Sequence, residues 1–92
     1  MTCDPVIYPR GAIEYVYAEI ESDVVLDTEP VEISLDGLTW VGATWLGLPG
    51  TTRVATALFD FGDYPRNTYK VRVRVTSLPE VPIIYVGEVI VE

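Results

Sequence analysis

The chain has 92 residues, 49% of them hydrophobic and 22% charged, a composition that sustains one folded core and differs from that of a disordered segment. Six basic against fourteen acidic side chains give a net charge of −8, which argues against nucleic acid as a partner, because phosphate contacts need clustered Lys and Arg. Histidine is missing, which removes the commonest general base and metal ligand, and Cys3 has no second cysteine to pair with. A reducing compartment of synthesis is the simpler expectation.

Along the chain, Met1 to Gly11 holds two prolines and reads as an arm lying along a surface, with residues 12–92 as a single domain. Its start lacks the basic and long apolar segments of a leader. No apolar run approaches the roughly 18 to 20 residues of a bilayer span, so neither a signal peptide nor a membrane partner is expected. Ile13 to Ile20 reads as a strand with Val16, Ala18 and Ile20 on one face and Tyr15, Tyr17 and Glu19 on the other. Val31, Ile33 and Leu35 alternate with Glu32, Ser34 and Asp36, and Asp36-Gly37 signals a tight turn into a return arm over Thr39 to Leu46. Trp40 and Trp45 on that arm are expected as core anchors, and Gly42 suggests a bulge or a close backbone approach.

Arg53 to Phe61 mixes helix formers (Ala55, Ala57, Leu58) with Val54, Thr56, Phe59 and Phe61, and the latter favour a strand. The plainest alternation runs from Thr68 to Thr76, where Tyr69, Val71, Val73 and Val75 interleave with Lys70, Arg72 and Arg74. Ile83 to Val91 is almost continuously apolar, as in a strand paired on both sides or covered by a partner. Turn signals at Leu48-Pro49-Gly50, Gly62 to Asn67 and Ser77 to Pro82 give the spacing of a β-sandwich or barrel. No repeat, low-complexity tract or internal linker divides the chain.

Charge is unevenly spread. From Met1 to Thr52 nine acidic residues face only Arg10, whereas Arg66, Lys70, Arg72 and Arg74 cluster later. Solubility explains this, and so does a complementary contact between subunits. Catalysis finds little to work with. Ser22, Ser34 and Ser77 lie in no nucleophile-elbow setting, Lys70 sits among arginines on a solvated strand face, and Cys3 has no cationic neighbour nearer in sequence than Arg10. Glu19, Glu21, Asp23, Asp27 and Glu29 are close in sequence but match no EF-hand spacing, so no metal or other cofactor is expected. Neither a phosphate-binding glycine loop nor a CxxC pair is present, and the chain is expected to be no enzyme.

The run Asn67-Thr-Tyr-Lys-Val-Arg-Val-Arg-Val-Thr-Ser-Leu-Pro-Glu-Val-Pro82 resembles the penultimate strand and following turn of small immunoglobulin-like virion proteins of tailed phages that infect actinobacteria. The opening Tyr8-Pro-Arg-Gly-Ala-Ile-Glu-Tyr-Val16 is similar to their start, and Thr39-Trp40, Ala43-Thr44-Trp45 and Gly50-Thr51-Thr52-Arg53 fit their middle. Their last strand is usually rich in Thr and Ile, whereas Ile83 to Val91 is more apolar.

The resemblance implies an immunoglobulin-like antiparallel β-sandwich of about seven strands. It also implies a structural role in the virion, as a minor capsid or decoration subunit or a head-to-tail connector component. Such a protein is synthesised in the bacterial host cytoplasm and docks in multiple copies, in a symmetric assembly, on other virion proteins. The candidate docking residues are Tyr8, Arg10, Tyr15, Tyr17, Arg66, Lys70, Arg72 and Arg74. The alternative is an immunoglobulin-like module that binds carbohydrate or a host surface, with Trp40 and Trp45 stacking on sugar rings.

Overall fold

A computed structural model describes residues 6–76 and 83–92. The described residues form seven strands: β1 (Val6–Tyr8), β2 (Ile13–Leu26), β3 (Val31–Ser34), β4 (Val41–Leu46), β5 (Gly50–Asp60), β6 (Asn67–Val75) and β7 (Ile83–Val91). One 3-10 turn, Phe61–Asp63, links β5 to β6. No helix among the described residues is long and apolar enough to cross a membrane. Met1 to Pro5, with Cys3, and the expected turn at Ser77 to Pro82 lie outside the described residues.

The strands hydrogen-bond in the order β1-β7-β6-β3-β4-β5-β2. This ribbon becomes two layers because β4 serves both: Val41 to Ala43 pair with β3, and Thr44 to Leu46 pair with β5. One layer is β1-β7-β6-β3 and the other β5-β2. Period-two alternation then puts one face of every strand inside. Val16, Ala18 and Ile20 of β2 and Ala55, Ala57 and Phe59 of β5 share one core with Ile33 of β3, Val71, Val73 and Val75 of β6 and Val89 and Val91 of β7. Burying each larger side chain among them contributes about 1.5–3 kcal/mol.

Placing β3, β6 and β7 in one layer and β4, β5 and β2 in the other reproduces the two-sheet strand order of an immunoglobulin-like sandwich. Tyr69 adds a second hallmark. It stands near the start of β6, and its hydroxyl donates to the carbonyl of Pro65 four positions upstream, the tyrosine-corner arrangement. An aromatic cluster supports that corner. Tyr64 packs edge-on to Tyr69 at 5.5 Å and also meets Phe59 and Phe61, while Tyr8 stacks on Phe61 at 4.5 Å.

Several details depart from the sequence reading. The sheet is mixed, because β1 runs parallel to β7, with Val6 opposite Val89 and Tyr8 opposite Val91. Val6 to Tyr8 of the expected arm therefore form a strand, and the Arg10 N–H donates to the Glu92 carbonyl just beyond it. Asp36-Gly37 does not make a two-residue hairpin. The last pair is Ile33 with Val41, and the loop between them is held by Asp36 Oδ1, which accepts from the N–H groups of Leu38 and Thr39, while Gly37 takes φ +79°.

Gly42 makes no bulge and no close approach: it pairs in register with Glu32 where β4 crosses between layers, and space beside it is open. Register shifts lie instead in β2, between Glu21 and Leu26 against β5, and in β7 against β6. Val71 faces Gly87 and Arg72 faces Tyr85, leaving Val86 as the extra residue. β7 is paired on both sides only along its last part, because β1 reaches no further back than Val89.

Candidate functional site

The candidate docking residues fall on different surfaces. On β2 the odd-numbered side chains point outward, and Tyr15 and Tyr17, 52% and 60% exposed, pack together with ring centroids 6.5 Å apart. Register extends this patch. Tyr15 stands opposite Leu58 and Tyr17 opposite Thr56, which in turn faces Thr44, with Leu46 opposite Val54 one step along. Ile13, Tyr15, Tyr17, Leu46 and Leu58 thus form an exposed apolar face across β2, β5 and β4, with Glu19, Glu21 and Asp60 around it. Leu46 and Leu58 were not singled out from the sequence. Their signal was the alternation itself, with Trp45 and Ala57 pointing inward beside them.

Tyr8 is not an exposed interface tyrosine. It is half-buried under β2, stacked on Phe61, and its hydroxyl donates to the carbonyl of Tyr15 at 3.1 Å. Burial, the carboxylate of Glu14 and the nearby Tyr17 together raise its pKa above the usual phenol value. Arg10 and Arg66 are exposed on the loops that follow β1 and precede β6.

Lys70, Arg72 and Arg74 do share one face, the outer side of the β1-β7-β6-β3 layer, and two of them are engaged there. Arg74 donates two hydrogen bonds to Glu32 Oε1, at 3.1 and 2.8 Å, and lies 4.3 Å over the ring of Trp40. Arg72 lies 5.3 Å over Tyr85 and donates to the carbonyls of Leu35 and Lys70. Lys70 stands opposite Glu88 on β7. The basic row is thus interleaved with acceptors from its own sheet. Charge segregation in the sequence becomes local pairing in the fold, because β3 and β7 bring Glu32 and Glu88 beside it.

The tryptophans divide. Trp45 points inward against the core, its indole N–H donates to the Glu29 carbonyl at 2.8 Å, and Arg53 covers one ring face at 5.1 Å. Trp40 is not a core anchor: it precedes β4, where the loop carries it to the outer face over Arg74. An arginine therefore already occupies one face of each indole.

Three acids, Asp36, Asp60 and Asp63, rim a cleft of about 490 Å³ at one end of the sandwich, beside Tyr64 and Tyr69. Backbone N–H groups of Thr39 and Leu38 hold the Asp36 carboxyl below the usual range, and burial, then Asp36, Asp63 and Tyr69, raises Tyr64. Among the described residues, no group of three or more potential ligands could hold a metal ion. The sequence matches no family model and no curated protein.

Proposed function

We propose that this chain is a non-enzymatic docking module: a structural protein of a tailed-phage virion that attaches to capsid or connector subunits. The observation that carries the docking reading is the exposed apolar face of Ile13, Tyr15, Tyr17, Leu46 and Leu58. A small monomer gains nothing from presenting such a patch to water, and exposed tyrosines within an apolar surface are what protein interfaces favour. The virion assignment rests on the resemblance of Tyr8 to Val16 and Asn67 to Pro82 to phage immunoglobulin-like proteins. A carbohydrate module is the weaker reading, since each tryptophan shares a ring face with a guanidinium.

The test is quantitative mass spectrometry of purified particles carrying either the parent chain or Tyr15→Ser/Tyr17→Ser. A fixed ratio to the capsid protein, lost in a variant that still unfolds cooperatively, supports docking through this face. Complete absence of the parent chain from clean particles rejects the virion role.

A further inference from the structure

Among the described residues no strand ladder closes the ribbon: β2 pairs in a ladder with β5 alone, its contact with β1 is the bond from the Tyr8 hydroxyl, and β2 and β7 both line a cleft of about 720 Å³ between the layers. The direction of the unpaired groups follows from the hydrogen bonds at the start of β2. Phe61 N–H donates to the carbonyl of Ala12 at 2.8 Å, so even-numbered β2 residues turn their backbone groups toward β5. Odd-numbered residues turn theirs outward, and the Tyr8 hydroxyl meets one of them at the Tyr15 carbonyl. Tyr17 and Glu19 therefore present N–H and C=O groups, and Tyr15 its N–H, along an edge about 30 Å long, at about 3.4 Å per residue from Ile13 to Glu21.

An unpaired edge of this length is a template for an added strand. The cleft beside it is chemically selective. Its apolar lining comes from Val16 and Ile20 on one side and Ile84 and Val86 on the other. Its charged lining is Glu14, Glu19, Glu21 and Glu88, with no Lys or Arg among the lining residues. We propose that the free edge of β2 takes up an extended segment of a partner protein as an extra strand, with apolar residues alternating with Lys or Arg. The apolar positions enter the cleft and the basic positions meet the glutamates. A second copy of this chain is a poor donor, because its one alternating basic segment, β6, is already paired on both edges. The site adjoins the outer apolar face, sharing Tyr15 and Tyr17 with it, but uses the backbone edge of β2 and does not depend on the virion assignment.

The probe is a twelve-residue amidated peptide alternating Val or Thr with Lys, alongside a scrambled peptide of the same composition and one with Glu for each Lys. Hydrogen exchange and binding affinity are read on the full chain without any virion component, so this test can fail while docking to particles holds. Glu19→Pro removes an outward N–H from an edge strand without touching the β5 ladder, and Glu19→Lys/Glu21→Lys inverts the local charge. Expected are slowed exchange at Tyr15, Tyr17 and Glu19, affinity about tenfold or more weaker in Glu19→Pro, and a reversed preference, acidic peptide over basic, in the double variant. Retained cooperative unfolding of each variant shows that the loss is local. Unchanged exchange at these amides, wild-type affinity in Glu19→Pro, or equal binding of all three peptides overturns the proposal.

Discussion

Arg53 is a charged side chain only 6% exposed, and its guanidinium is solvated by carbonyls instead of a carboxylate. It donates to the carbonyls of Leu26 and Asp27 at 3.2 and 2.7 Å and to those of Leu46 and Gly47 at 3.4 and 2.9 Å, tying the end of β2 to the turn between β4 and β5. Replacing it with Ala leaves the Leu26 carbonyl, on a buried residue, without its donor, at about 1–3 kcal/mol. Asp27 and Gly47 are exposed residues whose carbonyls water can reach, so those bonds cost about 0.5–1.5 kcal/mol each. Stacking on Trp45 adds about 1 kcal/mol. Relief from holding a buried charge, and an Nε without a partner among the described residues, offsets part of this. The expected net loss for Arg53→Ala is about 3 kcal/mol, against a total of about 5–14 kcal/mol for a domain of this size. Urea unfolding should show it as a midpoint lowered by about 2 M, for a slope near 1.5 kcal/mol/M. Arg53→Met keeps the apolar stem and should lose about 2 kcal/mol. A midpoint for Arg53→Met at or above that of the parent would refute the reasoning, since the guanidinium would then be a net burden.

Tyr69→Phe removes the hydroxyl bond to Pro65 and should cost about 1 kcal/mol in denaturant unfolding, with the strand order kept. Trp45→Phe should cost more than Trp40→Phe, because among the described residues the Trp45 indole N–H, and not that of Trp40, serves a backbone carbonyl, at Glu29, and thermal melts compare the two directly. The Asp36 pKa is lowered in the fold, so its stabilising contribution is present above the ordinary Asp value of about 3.9 and is lost as pH falls through the folded value. The gap in urea midpoint between the parent and Asp36→Ala should accordingly be widest near neutral pH and close in acid. Tyr8 and Tyr64 are shifted upward, so their contribution is intact below pH about 10 and is lost as pH rises through their folded values. In an ultraviolet titration of the folded chain both should ionise above the ordinary phenol value.

Alternation made most of the fold legible. β3, β5 and β6 lie close to where period-two patterning places them, β2 starts at the expected Ile13 but runs on past Ile20 to Leu26, and the inward faces of β2 and β6 are those the sequence indicates. What the pattern could not convey was partnership across the sheet. Trp40 and Trp45 share one arm, but which face each takes depends on where β4 begins, and Val41 rather than Thr39 is its first residue. The row of Lys70, Arg72 and Arg74 suggested a free basic face because the carboxylates beside it, Glu32 and Glu88, and the rings beneath it, Trp40 and Tyr85, are distant in sequence and become neighbours only through the fold. The half-burial of Tyr8, a candidate docking residue, was hidden for the same reason: the parallel pairing of β1 with β7 tucks it over Phe61. In the candidate interface, Tyr15 and Tyr17 were visible as the outward face of an apolar strand, whereas Leu46 and Leu58 joined them only once β4 and β5 were placed beside β2.

The pairing of β2 with β5 also sets a schedule. Ile13 finds its partner in Asp60, and Tyr17 in Thr56, so β2 leaves the ribosome well before the strand that will hold it. At about 5–20 residues per second the wait is a few seconds, long beside the microseconds a local hairpin needs. Throughout that interval the nascent chain carries Ile13, Tyr15, Val16, Tyr17 and Ile20 in one exposed β-prone stretch. Glu14, Glu19 and Glu21 punctuate that stretch, and their mutual repulsion between neighbouring nascent chains keeps it from pairing with its own kind before β5 arrives.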